Sequence, residues 1–181
     1  MIGVNEVLLE EVSKEKFAKK VNFVGFTNSE RLEFLKFKYY FIQKGGDYLG
    51  YVVLAETYNK HTKQKHWILT NINVSSAYRR RGIGSSALKA THNILFSQLG
   101  AKSYVVTISN YEMFKMIVRE YVNGDIDFYC LVNNLYPVDE MKEEEKILEQ
   151  HFMQNPHCHA DMIVSFDKYE TERVKPLFFK V

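Results

Sequence analysis

The residues from Ile72 to Ser86, Ile72-Asn73-Val74-Ser75-Ser76-Ala77-Tyr78-Arg79-Arg80-Arg81-Gly82-Ile83-Gly84-Ser85-Ser86, join a strand-like run to a helical one through a basic turn that contains two glycines. The chemistry such a turn suits is anion binding. Backbone N–H groups at a helix start have no intrahelical acceptor, the helix dipole places partial positive charge there, and glycines let a ligand reach the main chain. Three consecutive arginines add charge, and Ser85 and Ser86 add hydroxyl donors. A phosphate or diphosphate fits this set. A P-loop is excluded because no Lys-Ser or Lys-Thr pair follows the glycines, and the dinucleotide fingerprint is excluded because no third spaced glycine is present.

The elements that must position this turn follow from the apolar periodicity. GVNEVLLEEVS reads as a first strand, and Ser13 caps a helical stretch, KEKFAKKVNFV, that Gly25 ends. With Thr27, Asn28 or Ser29 as a second cap, ERLEFLKF reads as a second short helix that turns Leu32, Phe34 and Leu35 toward a core. FKYYFIQ and YLGYVVLAETY flank Gly45 and Gly46 and predict a hairpin; HWILTNINV from His66 to Val74 adds a third consecutive antiparallel strand. A helix follows from about Gly84 to Leu99, stopped by Gly100, and SYVVTIS reads as a buried strand. Asn110 then caps a helix that ends at Asn123 and Gly124. Beyond it, FYCLVNN, ADMIVSF and PLFFKV read as strands and EMKEEEKILEQHF as a helix.

Here the chain resembles a known family. Arg79-Arg80-Arg81-Gly82-Ile83-Gly84 is similar to the diphosphate-binding motif of the GNAT acetyltransferases: Gln or Arg, two variable residues, Gly, one variable residue, then Gly or Ala. Tyr78 and the Ile72-x-Val74 run match the family's surrounding pattern, and the element order from residue 6 to about residue 124 matches its fold. The resemblance implies an α/β (α+β) acyl-CoA N-acyltransferase fold, with a mixed, mostly antiparallel, splayed sheet flanked by helices. It implies acetyl-coenzyme A as cofactor, held by main-chain amides from Arg79 through Arg80, Arg81, Gly82, Ile83 and Gly84 to Ser85. The strand edge Ile72-Asn73-Val74 would pair with the pantetheine arm, and the Val74 amide would polarise the thioester carbonyl. Asn110 matches an Asn that contacts the coenzyme A arm in many family members; its other reading is a plain helix cap.

The expected activity is transfer of an acetyl group to a primary amine by direct attack. The chain departs from the family where many members carry the tyrosine that protonates the departing thiolate: Ile117 stands there. Tyr111, Tyr121 or no dedicated acid remain. A base or a water chain must take a proton from the amine, with Glu56 the first candidate and His66 the second. Neither Cys130 nor Cys158 lies at a recognisable nucleophile turn, so a covalent enzyme intermediate has no support.

Composition bounds the rest. A chain of 181 residues with 46% hydrophobic content suits one domain, 1–181, with residues 125–181 as a divergent part carrying an inserted helix near 138–153. Lys and Arg number 24 against 22 Asp and Glu, a balance that argues against a general nucleic-acid or membrane binder. No run approaches the length of a membrane span, and two cysteines make no disulfide framework, so the expectation is a cytoplasmic protein. His151, His157, Cys158, His159 and Asp161 lack metal-site spacing, so no metal is expected. The acceptor, a small molecule or a protein amine, and a homodimer stay open. The alternative is a catalytically inactive GNAT-like module that binds coenzyme A or a protein partner; a nucleic-acid binder using the three arginines ranks below it.

Overall fold

Gly45 and Gly46 take φ of +58° and +86°, the paired left-handed conformation of a two-residue hairpin, and so fold β2 (Leu32–Lys44) back on β3 (Asp47–Asn59). The computed structural model describes residues 6–23, 28–30, 32–61, 63–108, 112–113, 116–117, 129–132, 136–137 and 160–165. They belong to two compact units, Met1–Gly100 and Ala101–Val181. The fold is mixed α/β, and every strand pair given below is antiparallel, as the resemblance implied.

In the first unit, β1 (Leu8–Val12) pairs with β2, β2 with β3, and β3 with β4 (Gln64–Val74). Helix α1 (Lys14–Lys20) begins where the Ser13 hydroxyl accepts from the Lys16 N–H at 3.1 Å, the cap expected from sequence. It ends earlier than expected, because Val21 is already extended at φ −124°. Its buried Phe17 packs on Tyr39, Phe41 and Tyr51, on the sheet face that carries Val12 and Val53. The opposite face, with Ile42, Val52, Leu54 and Leu69 wholly buried, lies under α2 (Ile83–His92), which touches β1 and β4 and buries Ala87, Leu88 and Thr91. The chain then makes one π turn, Asn93–Gln98, and leaves it at Gly100, whose φ of +65° makes the expected stop.

The second short helix expected over ERLEFLKF is not formed. Residues from Leu32 onward are the first half of β2, in register with β3 from Leu32 opposite Asn59. Cross-strand pairing overrides the helical spacing, because alternate residues Phe37, Tyr39 and Phe41 meet α1 while Tyr40 and Ile42 enter the other face. Leu35 is the extra residue of a β-bulge between Phe34 and Lys36 and is 42% exposed, not core. Asn28 and Ser29 do cap, but they cap a strand: Asn28 Oδ1 accepts from the Phe34 N–H and Ser29 Oγ from the Leu32 N–H.

In the second unit, β5 (Ser103–Ile108) matches the expected buried strand, with Tyr104, Val105 and Val106 buried. β6 (Tyr129–Val132), β7 (Tyr136–Pro137) and β8 (Ala160–Ser165) complete it; β8 pairs with both β5 and β6, and β7 with β6. Residues 112–113 and 116–117 are helical. The helix expected near 138–153 and the strand expected from PLFFKV lie outside the described residues. Among the described residues no helix is long and apolar enough to cross a membrane.

Candidate functional site

The turn after β4 has the backbone that an anion site requires. Residues Ser76–Tyr78 make a single 3-10 turn, Arg80 takes φ +63°, and Gly82 caps α2 in the left-handed region at φ 75°, ψ 5°. Only glycine enters that region without steric cost, so the second half of the motif is set by Gly82. The first helical bond runs from the Ser86 N–H to the Gly82 carbonyl at 3.1 Å, and no side chain caps the helix start. Among the described residues, the N–H groups of Arg80, Arg81, Gly82, Ile83, Gly84 and Ser85 have no acceptor. They are therefore available to a ligand.

The three arginines are placed differently. Arg79 turns back, and its Nε donates to the Val74 carbonyl at 2.9 Å. Arg81 stands over the Tyr78 ring, 5.9 Å from its centroid. Arg80 is exposed beside the free amides. Ser86 Oγ accepts from the Val7 N–H at 3.1 Å, which ties the start of β1 to α2.

Among the described residues, the end of β4 turns alternate N–H groups toward and away from β3. The Ser75 N–H donates to the Leu49 carbonyl in β3 at 2.8 Å. Strand geometry then sends the N–H groups of Asn73 and Asn71 toward β3, and those of Ile72 and Val74 away from it. The Arg79 contact agrees, since it meets the Val74 carbonyl from the side away from β3. Gly50 lies opposite Val74, and a Cβ there would stand 2.0 Å from the Asn73 carbonyl oxygen. Sequence reasoning passed over Gly50, although a lone glycine inside a strand is the usual sign of such a close approach.

The candidate bases part company. Glu56 pairs across with Trp67 and shares the α2 face with Leu54; His66 pairs with Thr57 and shares the α1 face with Val53. His66 is buried, with its carbonyl accepting from the Thr57 hydroxyl at 3.1 Å. Measured along β3 from Gly50, Glu56 is six residues and Thr57 seven residues away, about 20 Å at strand rise. Both candidates thus stand far along the sheet from Val74. Ile117 is fully buried and carries no proton to give. Asn110, Tyr111 and Tyr121 lie outside the described residues. So do His151, His157, Cys158 and His159; Asp161 is in β8. Among the described residues no group of three or more His, Cys, Asp or Glu could hold a metal ion.

The sequence matches the acetyltransferase (GNAT) family over residues 8–117. No curated protein matches it. Among solved structures, an integron cassette protein from the mobile metagenome of Cole Harbour Salt Marsh is 21% identical with TM-score 0.33, over 39% of this chain and 45% of its own. This chain therefore spans less than half the length of that cassette protein. Spermidine/spermine N-acetyltransferase SpeG from Vibrio cholerae, in complex with manganese ions, is 11% identical with TM-score 0.49, over 92% of this chain and 96% of its own. Arabidopsis thaliana Naa50, in complex with the bisubstrate analogue CoA-Ac-MVNAL, is 11% identical with TM-score 0.46, over 88% and 98%.

Proposed function

Because the chain belongs to the acetyltransferase (GNAT) family, we propose that it binds acetyl-coenzyme A at the turn between β4 and α2 and transfers the acetyl group to a primary amine. The observation that carries this reading is the run of amides from Arg80 to Ser85, unpartnered among the described residues, around left-handed Gly82. The donors present fit the group: backbone N–H groups for a diphosphate, Arg80 for its charge, and the N–H groups of Ile72 and Val74, directed away from β3, for an amide-bearing arm.

When bound, acetyl-coenzyme A supplies the activated acyl carbon. The chain's own residues do the rest. Gly82 and Gly84 keep the main chain accessible, and Arg79 holds the Val74 carbonyl so that the neighbouring Val74 N–H stays aimed along the edge, where it polarises the thioester oxygen. An amine nitrogen would bond to that carbon as the C–S bond broke. The proton lost from nitrogen would pass through water to the departing sulfur, since Ile117 carries no proton to give. The alternative, a GNAT-like binding module without catalysis, is favoured by that buried isoleucine and by the distance of Glu56 and His66 from Val74.

A coenzyme A titration on wild type and on Gly84→Trp tests the reading, with Gly82→Trp as a second variant. Indole rings there close the main chain to a ligand, and affinity falls at least tenfold in variants that retain the wild-type circular dichroism spectrum. Unchanged affinity in a folded variant removes the diphosphate site. Thiol release against a panel of primary amines then separates enzyme from binding module.

A further inference from the structure

Asn71 has a buried side-chain oxygen with nothing to accept. Among the described residues its Oδ1 has no hydrogen-bond partner. Leaving a buried acceptor unmade is costly, and folded proteins keep few such atoms without a use. The position is built around it. Between Val53 and Leu54 the register of β4 slips by one, so that Thr70 is an extra residue immediately before Asn71. The Thr70 hydroxyl donates to the Val53 carbonyl at 2.9 Å and pins the bulge. Bulges of this kind re-aim the neighbouring side chain.

Two facts decide what could reach that oxygen. Asn71 lies opposite Val53, so it stands on the sheet face covered farther along by α1, and two residues on Asn73 follows on the same face, opposite Tyr51. On this face the strand end carries Asn71 and the exposed Asn73, whereas on the other Ile72 follows the fully buried Leu69 and lies beside the fully buried Val52. An arm paired along the edge of β4 lies in the plane of the sheet, and a nucleophile must approach its acyl carbon from above or below that plane. At the end of β4 the polar side is the side of Asn71.

Resting on the acetyl-transfer reading, we propose that Asn71 Oδ1 accepts an N–H of the acceptor amine and turns the nitrogen lone pair toward the acyl carbon. Asn71 is then a specificity-determining residue for an N–H-bearing acceptor. A carboxamide cannot take the amine's proton at neutral pH, so its part is to hold and orient the nitrogen while water carries the proton away.

The test compares wild type, Asn71→Leu and Asn71→Asp for coenzyme A affinity, thermal midpoint, and thiol release with a polyamine, a short peptide with a free N-terminus, and benzylamine. Asn71→Leu raises the amine KM at least tenfold, changes coenzyme A affinity less than twofold, and leaves the midpoint equal or higher because the unmade acceptor is gone. Asn71→Asp keeps an acceptor oxygen and retains amine binding. An unchanged amine KM in Asn71→Leu, or a lowered midpoint, overturns the proposal. Wild type that releases no thiol with any probe sinks the acetyl-transfer reading instead; the midpoint of Asn71→Leu then decides whether the acceptor is kept for a ligand or for the fold.

Discussion

Gly50→Ala perturbs the proposed thioester site from the opposite strand without touching a ligand. The added carbon would sit 2.0 Å from the Asn73 carbonyl oxygen and 3.0 Å from Val74 Cα. An ordinary contact between carbon and oxygen needs over 3 Å, so the Asn73 carbonyl must retreat by roughly 1 Å. That carbonyl and the Val74 N–H belong to one planar peptide unit, and the displacement passes to the N–H undiminished. Gly50 also sits at φ +157°, at the border of the region favouring glycine, and the forced backbone costs about 1–3 kcal/mol of stability. The N–H that would bind the acyl oxygen loses its aim. One such hydrogen bond is worth about 0.5–1.5 kcal/mol, so acetyl-coenzyme A binding weakens by about 2- to 10-fold. Free coenzyme A has no acyl oxygen and changes less. Isothermal titration with both ligands, together with a thermal melt, reads the ratio directly. A variant whose midpoint has dropped several degrees while the ratio of the two affinities stays at the wild-type value would refute the role given to Val74. An unchanged midpoint would refute the close approach itself.

Two further outcomes follow from single contacts. Burial holds the His92 imidazole down at about 4, below its ordinary 6.5. The unfolded chain therefore takes up a proton first, so this stabilisation is complete above pH 6.5 and is lost as pH falls from 6.5 to 4, by about 3 kcal/mol in all. Urea melts of His92→Gln across that range show a flatter acid limb than wild type, and an identical slope rejects His92 as the source. Arg79→Ala removes the 2.9 Å contact to the Val74 carbonyl and weakens acetyl-coenzyme A about 2- to 10-fold. If Arg79 acts through Val74, the salt dependence of binding keeps its wild-type slope; a shallower slope means that its guanidinium meets phosphate instead.

Much of the first unit was legible because its signals are local. Gly45 and Gly46 specify a turn that few other residues tolerate, Ser13 offers its oxygen to an N–H three residues on, and the glycines of the arginine turn anticipate a left-handed cap at a helix start. ERLEFLKF misled because its apolar residues satisfy helical spacing as well as strand spacing. The choice was made by β3, which pairs with it residue by residue, and by the bulge that expels Leu35.

The candidate site divides along the same line. Composition and spacing alone determined a basic glycine turn at a helix start, since a backbone that needs φ near +75° and amides without an intrahelical acceptor are properties of adjacent residues. Only the tertiary structure decided that Arg79 serves the strand end, that Gly50 carries Asn73 against its backbone, that Glu56 and His66 occupy opposite faces far from Val74, and that Asn71 presents an unfilled oxygen. Each of these depends on register between strands, and one bulged residue in β4 reverses which face a side chain meets, an offset to which the order of residues in a single strand is blind.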